Sequence, residues 1–264
     1  MCGEWTLYVC GARGSMPVHG REFQEFGGAT SCFVVKKGTY ALMVDCGSGF
    51  YRAREILAEC VQVDIVLTHL HYDHMIGLLG YGVLPKRAKV NFYSTFDRWF
   101  GSETIKEFFR EPFWPVVPDI GSCISVESPG SIQLSGGIVL SFFPSAHPNQ
   151  ANVCRLEMEN FVLCISFDYE HLEEPSAAFL EGCDLLIYDG MYTKEEYELY
   201  KGWGHSCWQE GCRLARKYKI RRLLITHHGT TRTDMQLRAM EEEARQHFPG
   251  AAFARMGDRL ELVR

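Results

Sequence analysis

His69, His71, Asp73 and His74 stand close together in Thr68-His69-Leu70-His71-Tyr72-Asp73-His74, directly after the apolar run Val63 to Leu67. Imidazoles and a carboxylate at that density need either solvent or a cation, because an apolar core would leave them unpaired. Zinc is the first choice for this mixture of nitrogen and oxygen donors, and manganese or iron fits the same ligand types. If the chain stays extended, His69 and His71 point the same way, since strand side chains repeat every second residue. Asp73 and His74 follow where the backbone turns, and can face a second ion. Two ions about 4 Å apart can share a water, draw off its proton near neutral pH and clamp both sides of a displacement. The expected chemistry is hydrolysis at two divalent ions.

Such groups need rigid elements to hold them. Trp5 to Cys10 reads as a first strand, followed by the turn-rich Gly11-Ala12-Arg13-Gly14-Ser15-Met16-Pro17. Cys32 to Val35 and Tyr40 to Val44 read as paired strands around Lys36-Lys37-Gly38-Thr39, where glycine suits a tight hairpin. Asp45-Cys46-Gly47-Ser48-Gly49 leads into a helix near Tyr51 to Glu59, and Val63 to Thr68 is the strand that delivers the cluster. Ala88 to Tyr93 reads as a strand and Ser102 to Phe109 as a helix.

Four later strands repeat one arrangement. Ile138 to Phe143 precedes His147, Phe161 to Phe167 precedes Asp168, Asp184 to Tyr188 precedes Asp189, and Arg222 to Thr226 precedes His227. Polar groups at the ends of neighbouring strands converge on one rim of a sheet. Helices expected at Cys207 to Lys217 and Met235 to Gln246 would cover the outer faces. The fold class is therefore α/β with two packed sheets, read as a single domain over residues 1–264. The segment 92–118 holds Phe96, Trp99, Phe100, Phe108, Phe109, Phe113 and Trp114. It reads either as a lid over the site or as a core or interface contact.

Composition narrows the partners. The chain has 264 residues, 46% hydrophobic and 23% charged, as in an ordinary globular protein, with a formal net charge of -6. That charge offers no general attraction for nucleic acid or an anionic membrane, although a local phosphate pocket is still allowed. The 11 cysteines are an odd count without a repeated short spacing, and several lie in apolar runs where free thiols act as small hydrophobes. No signal peptide or membrane-spanning stretch is visible, so a reducing cytoplasm is the expected compartment.

The HxHxDH spacing, His147 in Ser145-Ala146-His147-Pro148, and Asp168 after Cys164-Ile165-Ser166-Phe167 resemble the metallo-β-lactamase superfamily over most of the chain. The resemblance implies a four-layer αβ/βα sandwich with two metals at its edge. It places His69, His71 and His147 on the first ion and Asp73, His74 and a distant histidine on the second, with Asp168 bridging. The usual glycine-aspartate-threonine context is replaced here by Phe167 and Tyr169. His227 is expected to be the last ligand, with His228 as the alternative ligand or a substrate contact. Asp45 would support a ligand histidine from behind, fixing its tautomer.

Within that superfamily the chain looks like the phosphodiesterase side, which includes the tRNA 3'-processing nucleases. His205 in Gly202-Trp203-Gly204-His205-Ser206 matches the position of a general acid, and Asp189 in Ile187-Tyr188-Asp189-Gly190 matches its carboxylate partner. With Asp73 they form the expected catalytic set. Arg13, in a glycine-rich segment also similar to this branch, could meet a phosphate. The expected reaction is cleavage of a small phosphodiester, a cyclic nucleotide among the candidates, by hydroxide bridging the ions. Thioester, lactone and β-lactam hydrolysis are the alternatives, and a non-catalytic metal-binding scaffold is a further one. No basic, glycine-rich targeting arm is evident, which favours a small substrate over folded RNA. A homodimer would be consistent with the resemblance.

Overall fold

The computed structural model describes residues 4–95, 107–115, 121–170 and 176–264. Its strands are β1 (Thr6–Gly11), β2 (Cys32–Lys37), β3 (Tyr40–Val44), β4 (Gln62–Val66), β5 (Lys89–Ser94), β6 (Ser122–Ser125), β7 (Gly130–Gln133), β8 (Val139–Pro144), β9 (Asn152–Met158), β10 (Phe161–Ser166), β11 (Leu185–Asp189), β12 (Arg222–Thr226), β13 (Ala251–Phe253) and β14 (Arg259–Glu261). Two seven-stranded sheets result, ordered β14-β1-β2-β3-β4-β5-β6 and β13-β12-β11-β10-β9-β8-β7.

Alternation at period two sorts the side chains between layers. Leu7, Val9, Phe33, Val35, Leu42, Val44 and Val66 of the first sheet meet Leu140, Phe142, Leu156, Leu163, Ile165, Ile187 and Leu224 of the second in one buried core. The intervening residues face outward under helices. On the first sheet, Val34, Met43 and Ile65 pack with Phe50, Ala53 and Leu57 of α1 (Phe50–Leu57). On the second, Leu186, Tyr188 and Ile225 pack with Trp208, Cys212 and Leu237. The last three lie in or on α4 (Trp208–Lys217) and α5 (Asp234–His247), which follow the short α2 (Tyr72–Met75) and α3 (Lys194–Leu199). The helix–sheet–sheet–helix order is the expected four-layer αβ/βα sandwich.

The pairing pattern explains why the chemistry gathers at one edge. β3, β4, β5 and β6 run parallel in the first sheet, as do β10, β11, β12 and β13 in the second. Parallel strands bring their C-terminal ends to the same rim, and the loops leaving those ends carry the histidines and aspartates. Each expected strand is present to within a residue or two at its ends. β6, β7, β9, β13 and β14 were not expected from sequence. β6, β7, β13 and β14 are only three or four residues long, and β9 carries Arg155 and Glu157.

All ten described cysteines are free. No helix among the described residues is long and apolar enough to cross a membrane. Phe96, Trp99, Phe100 and most of the helix expected at Ser102 to Phe109 fall outside the described residues. Within the aromatic segment, Phe109 is buried and Phe113 is exposed.

Candidate metal centre

β4 ends at Val66, and Thr68 to His74 then cross the rim. His69, His74, Asp168 and His227 are buried, Asp73 nearly so, while His71 and His147 are half-buried. Donor atoms of His69, His71, His147 and Asp168 all lie within 4.8 Å of one another, as do those of Asp73, His74 and His227. Asp168 links the two sets. Its Oδ2 is 2.8 Å from His69 Nε2 and 2.9 Å from His74 Nε2, and its Oδ1 is 2.9 Å from His227 Nε2.

These contacts suit cations better than hydrogen bonds. Both Asp168 oxygens and His69 Nε2 are buried without a properly oriented hydrogen bond, despite their short separations. His74 Nε2 and His227 Nε2 face each other at 3.3 Å, with Asp73 Oδ2 at 3.4 and 3.3 Å from them respectively. Nitrogen and oxygen lone pairs converge on common points, which is the arrangement a divalent ion satisfies. The charge pattern agrees. Burial lowers His71 and His147 to about 4, keeping them neutral as metal ligands must be. Burial would lower His227 too, but Asp168 and Asp73 outweigh it and raise the ring to about 9. Burial alone would raise Asp168, yet the surrounding imidazoles hold it well below the usual carboxylate range. Two carboxylates that draw protons onto His74 and His227 would draw metal cations to the same place.

Backbone strain is concentrated here. Five described non-glycine residues have positive φ, and four of them, Ser15, Asp45, Asp168 and His227, belong to this centre. Aspartate and histidine enter that region more readily than most residues, and the packed surroundings hold them there. Asp45 accepts from the Thr68 amide and hydroxyl at 2.8 Å each, and its Oδ2 is 2.6 Å from His74 Nδ1. It therefore stands behind His74, a candidate ligand. Gly14 permits close packing, since a Cβ there would lie 2.4 Å from the His227 ring.

His205 and Asp189 come together beside these groups. His205 Nδ1 is 2.9 Å from Asp189 Oδ2 and 3.4 Å from Asp168 Oδ1. Burial would lower His205, but Asp189 and Asp168 outweigh it and lift the ring to about 10.

Two expected contacts fall elsewhere. Arg13 is fully buried, with Nε donating to Gly27 O at 2.8 Å and Nη1 to Arg232 O at 2.7 Å and Gly229 O at 3.2 Å, over the Phe23 ring. Its guanidinium ties three loops together and is not presented to a phosphate. His228 is also buried, turned from the cluster with Nε2 donating to Ala254 O at 2.8 Å and its ring stacked on Phe253. Its neighbour His227 occupies the cluster.

Sequence reasoning missed several supporting groups. The Ser15 amide donates to Asp73 Oδ2 at 2.6 Å, Asn149 Nδ2 lies 3.0 Å from His71 Nε2, and Ser145 Oγ donates to Asp168 O at 2.7 Å. Ser145 and Asn149 flank His147 by two residues, which was the available signal. The Ser15 contact is made by backbone and spans 58 positions. No residue type announces it.

Two sheets packed face to face, with a histidine and aspartate cluster on one rim, define a metallohydrolase of the β-lactamase type. The chain matches the family model described as "Beta-lactamase superfamily domain" over residues 40–228 and belongs to that family. It is a metal-dependent hydrolase. A ribonuclease Z of Azobacteroides pseudotrichonymphae is 24% identical over 251 residues, covering 80% of this chain and 85% of the relative. That alignment is longer than the part of this chain it takes in, so the relative carries segments with no counterpart here. A ribonuclease Z of Gemmatimonas aurantiaca is 36% identical over 86 residues, which span 33% of this chain and 27% of the relative. Among solved structures, the metallo-β-lactamase fold protein YhfI from Bacillus subtilis superposes with a TM-score of 0.76 at 20% identity, covering 98% of this chain and 100% of that one. A diphosphatase from the PhnP family gives 0.72 at 20% identity, covering 99% of this chain and 98% of its own. These likenesses are of fold.

Proposed function

We propose that the protein is a two-metal phosphodiesterase that cleaves a small phosphodiester, with a cyclic nucleotide as a compact example. His69, His71 and His147 would hold one ion, Asp73, His74 and His227 the other, and Asp168 would bridge. Two bound divalent ions would lower the pKa of a water and offset charge developing on the phosphoryl oxygens. The observation that carries the reading is the His205–Asp189 pair beside the ligand groups. Asp189 engages Nδ1 at 2.9 Å and orients the ring, which leaves Nε2 as the proton donor. The net reaction forms a bond from water oxygen to phosphorus and breaks the bond from phosphorus to the leaving oxygen. The His205 proton ends on that oxygen, and the proton given up by the attacking water passes to solvent, from which His205 is reprotonated. Acyl substrates with good leaving groups have less need of such a donor.

Support for phosphorus also comes from the ribonuclease Z relatives. The net charge of -6 favours a small substrate over folded RNA. Zinc- or manganese-loaded protein is expected to hydrolyse bis(p-nitrophenyl) phosphate and a cyclic nucleotide, with loss on chelation and recovery on re-addition. A thioester, a lactone and a β-lactam assayed in parallel distinguish the hydrolase classes. Turnover of one of these with both phosphodiesters inert would overturn the reading. Metal bound without turnover of anything would indicate a binding scaffold.

A further inference from the structure

A series of aromatic rings runs from the proton donor to solvent. The Tyr192 ring meets His205 edge-on at 6.0 Å, Tyr200 stacks on Tyr192 at 5.1 Å, and Trp203 meets Tyr200 edge-on at 5.4 Å. Exposure rises outward, with Tyr200 39% and Trp203 64% exposed. Large aromatic surface is costly to leave in water. The loop that presents it is anchored at several points. Gly202 donates its amide to Glu170 Oε1 at 2.5 Å, and Tyr197 OH donates to the same oxygen at 3.4 Å. Trp203 donates its amide to Tyr200 O at 3.2 Å. Gly204 has φ of 85°, and a Cβ there would fall 2.3 Å from His147 Cδ2, so only glycine lets the loop lie against that candidate ligand. Trp203 is thereby fixed two residues from His205.

We infer that Tyr192, Tyr200 and Trp203 form the leaving-group subsite, and that the group it takes is a nucleobase. This rests on the reading of His205 as proton donor. The donor must touch the departing oxygen, so whatever is attached to that oxygen extends past His205. The aromatic rings that begin with Tyr192 adjoin the His205 ring. A sugar alone would gain little from them, whereas a purine or pyrimidine stacks on such rings whatever its sequence. The substrate class is therefore a phosphodiester whose departing alcohol is a nucleoside.

Direct binding tests this without turnover. Adenosine 5'-monophosphate and ribose 5-phosphate share a phosphate and differ by the base, and tryptophan fluorescence of the metal-loaded protein follows both titrations. The nucleotide is expected to bind about tenfold or more tighter, within the range that base stacking on aromatic side chains supplies. Trp203→Ala and Tyr200→Ala should each erase most of that ratio, while Trp203→Phe retains it. In kinetics, matched diesters with base-bearing and abasic leaving groups should differ mainly in KM, and the ratio of their kcat/KM values should fall toward one in Trp203→Ala. Equal binding of the two ligands by the wild type, or a ratio untouched by Trp203→Ala, would overturn the inference. So would sedimentation showing that Trp203 holds two copies of the chain together while the base adds nothing. Base-dependent binding with every phosphodiester inert would refute the proposed reaction but leave the aromatic site standing. Hydrolysis with no base preference would refute the site alone.

Discussion

Asp45 Oδ2 lies 2.6 Å from Nδ1 of His74, with both side chains fully buried. The two residues are 29 positions apart and meet because parallel β3 and β4 end side by side. Thr68 supplies the carboxylate with two donors, so its remaining lone pairs face the imidazole. A proton held on Nδ1 directs Nε2 toward Asp73 and Asp168, where the second ion would sit. Asp45→Asn keeps the shape and removes the charge. Loss of such a supporting partner typically weakens a metal site about 10–100-fold. Competition with a chromophoric chelator is expected to show one weakened ion and one unchanged. Two ions of native affinity would remove Asp45 from this role.

The His205–Asp189 pair makes a separate kinetic prediction. General acid catalysis contributes about 10²–10⁴-fold when the leaving group is a poor one. His205→Ala should therefore slow diesters with alkyl leaving groups by that order, and cost much less with p-nitrophenolate, which departs without a proton. Asp189→Asn should follow the same pattern more weakly, because it disturbs the orientation of the ring and leaves the ring present. Metal content should stay near the wild-type value in His205→Ala. Equal slowing of both leaving groups would point to damage at the metal centre and not to a missing proton.

Much of this centre was legible because its signals are local. The spacing of His69, His71, Asp73 and His74 is read within one loop, and His147, Asp168, Asp189 and His227 each follow an apolar strand that hydrophobic patterning marks. What was not legible depends on long-range placement. Arg13 lies in a glycine-rich loop that suits phosphate binding, yet its guanidinium turns inward to carbonyls at Gly229 and Arg232. Choosing between His227 and His228 required long-range contacts, which set the His227 ring against Asp168 and the His228 ring on Phe253 with its Nε2 at Ala254 O. The short edge strands β13 and β14 carry too few residues for a period to show.

Gly14 offers a test of packing at the metal centre that changes no ligand. A Cβ at this position would meet His227 Cε1 and Nδ1 at 2.4 Å and the Met191 methyl at 2.7 Å. The ring cannot yield easily, because His227 is buried and its backbone is already held at positive φ. Gly14→Ala is expected to displace His227 and with it the ion that His227 would share with Asp73 and His74. Metal analysis should fall from two ions toward one, with circular dichroism unchanged. Full metal content would show that the loop carrying Gly14 shifts at no cost to the site.

Glu241 predicts how stability depends on pH at a point remote from the metal cluster. Its buried carboxylate accepts from the Phe253 amide at 2.9 Å and from Arg255 at 2.9 and 3.0 Å, with Arg245 at 3.1 Å. Burial alone would raise its pKa, but Arg255 and the Phe253 amide outweigh burial and hold it below the ordinary value of 4.5. A carboxylate depressed in the folded state stabilises it fully above the unfolded pKa, and that contribution fades as pH falls through the lower folded value. Glu241→Gln should therefore cost about 2 kcal/mol at neutral pH, the order expected for hydrogen bonds to a charged group. The gap between wild type and variant should narrow well below pH 4.5, where the wild-type carboxylate takes up its proton. Urea unfolding of both proteins at the two pH values measures that gap directly. A gap of the same size in acid would mean that packing of the side chain, and not its charge, holds α5 against β13.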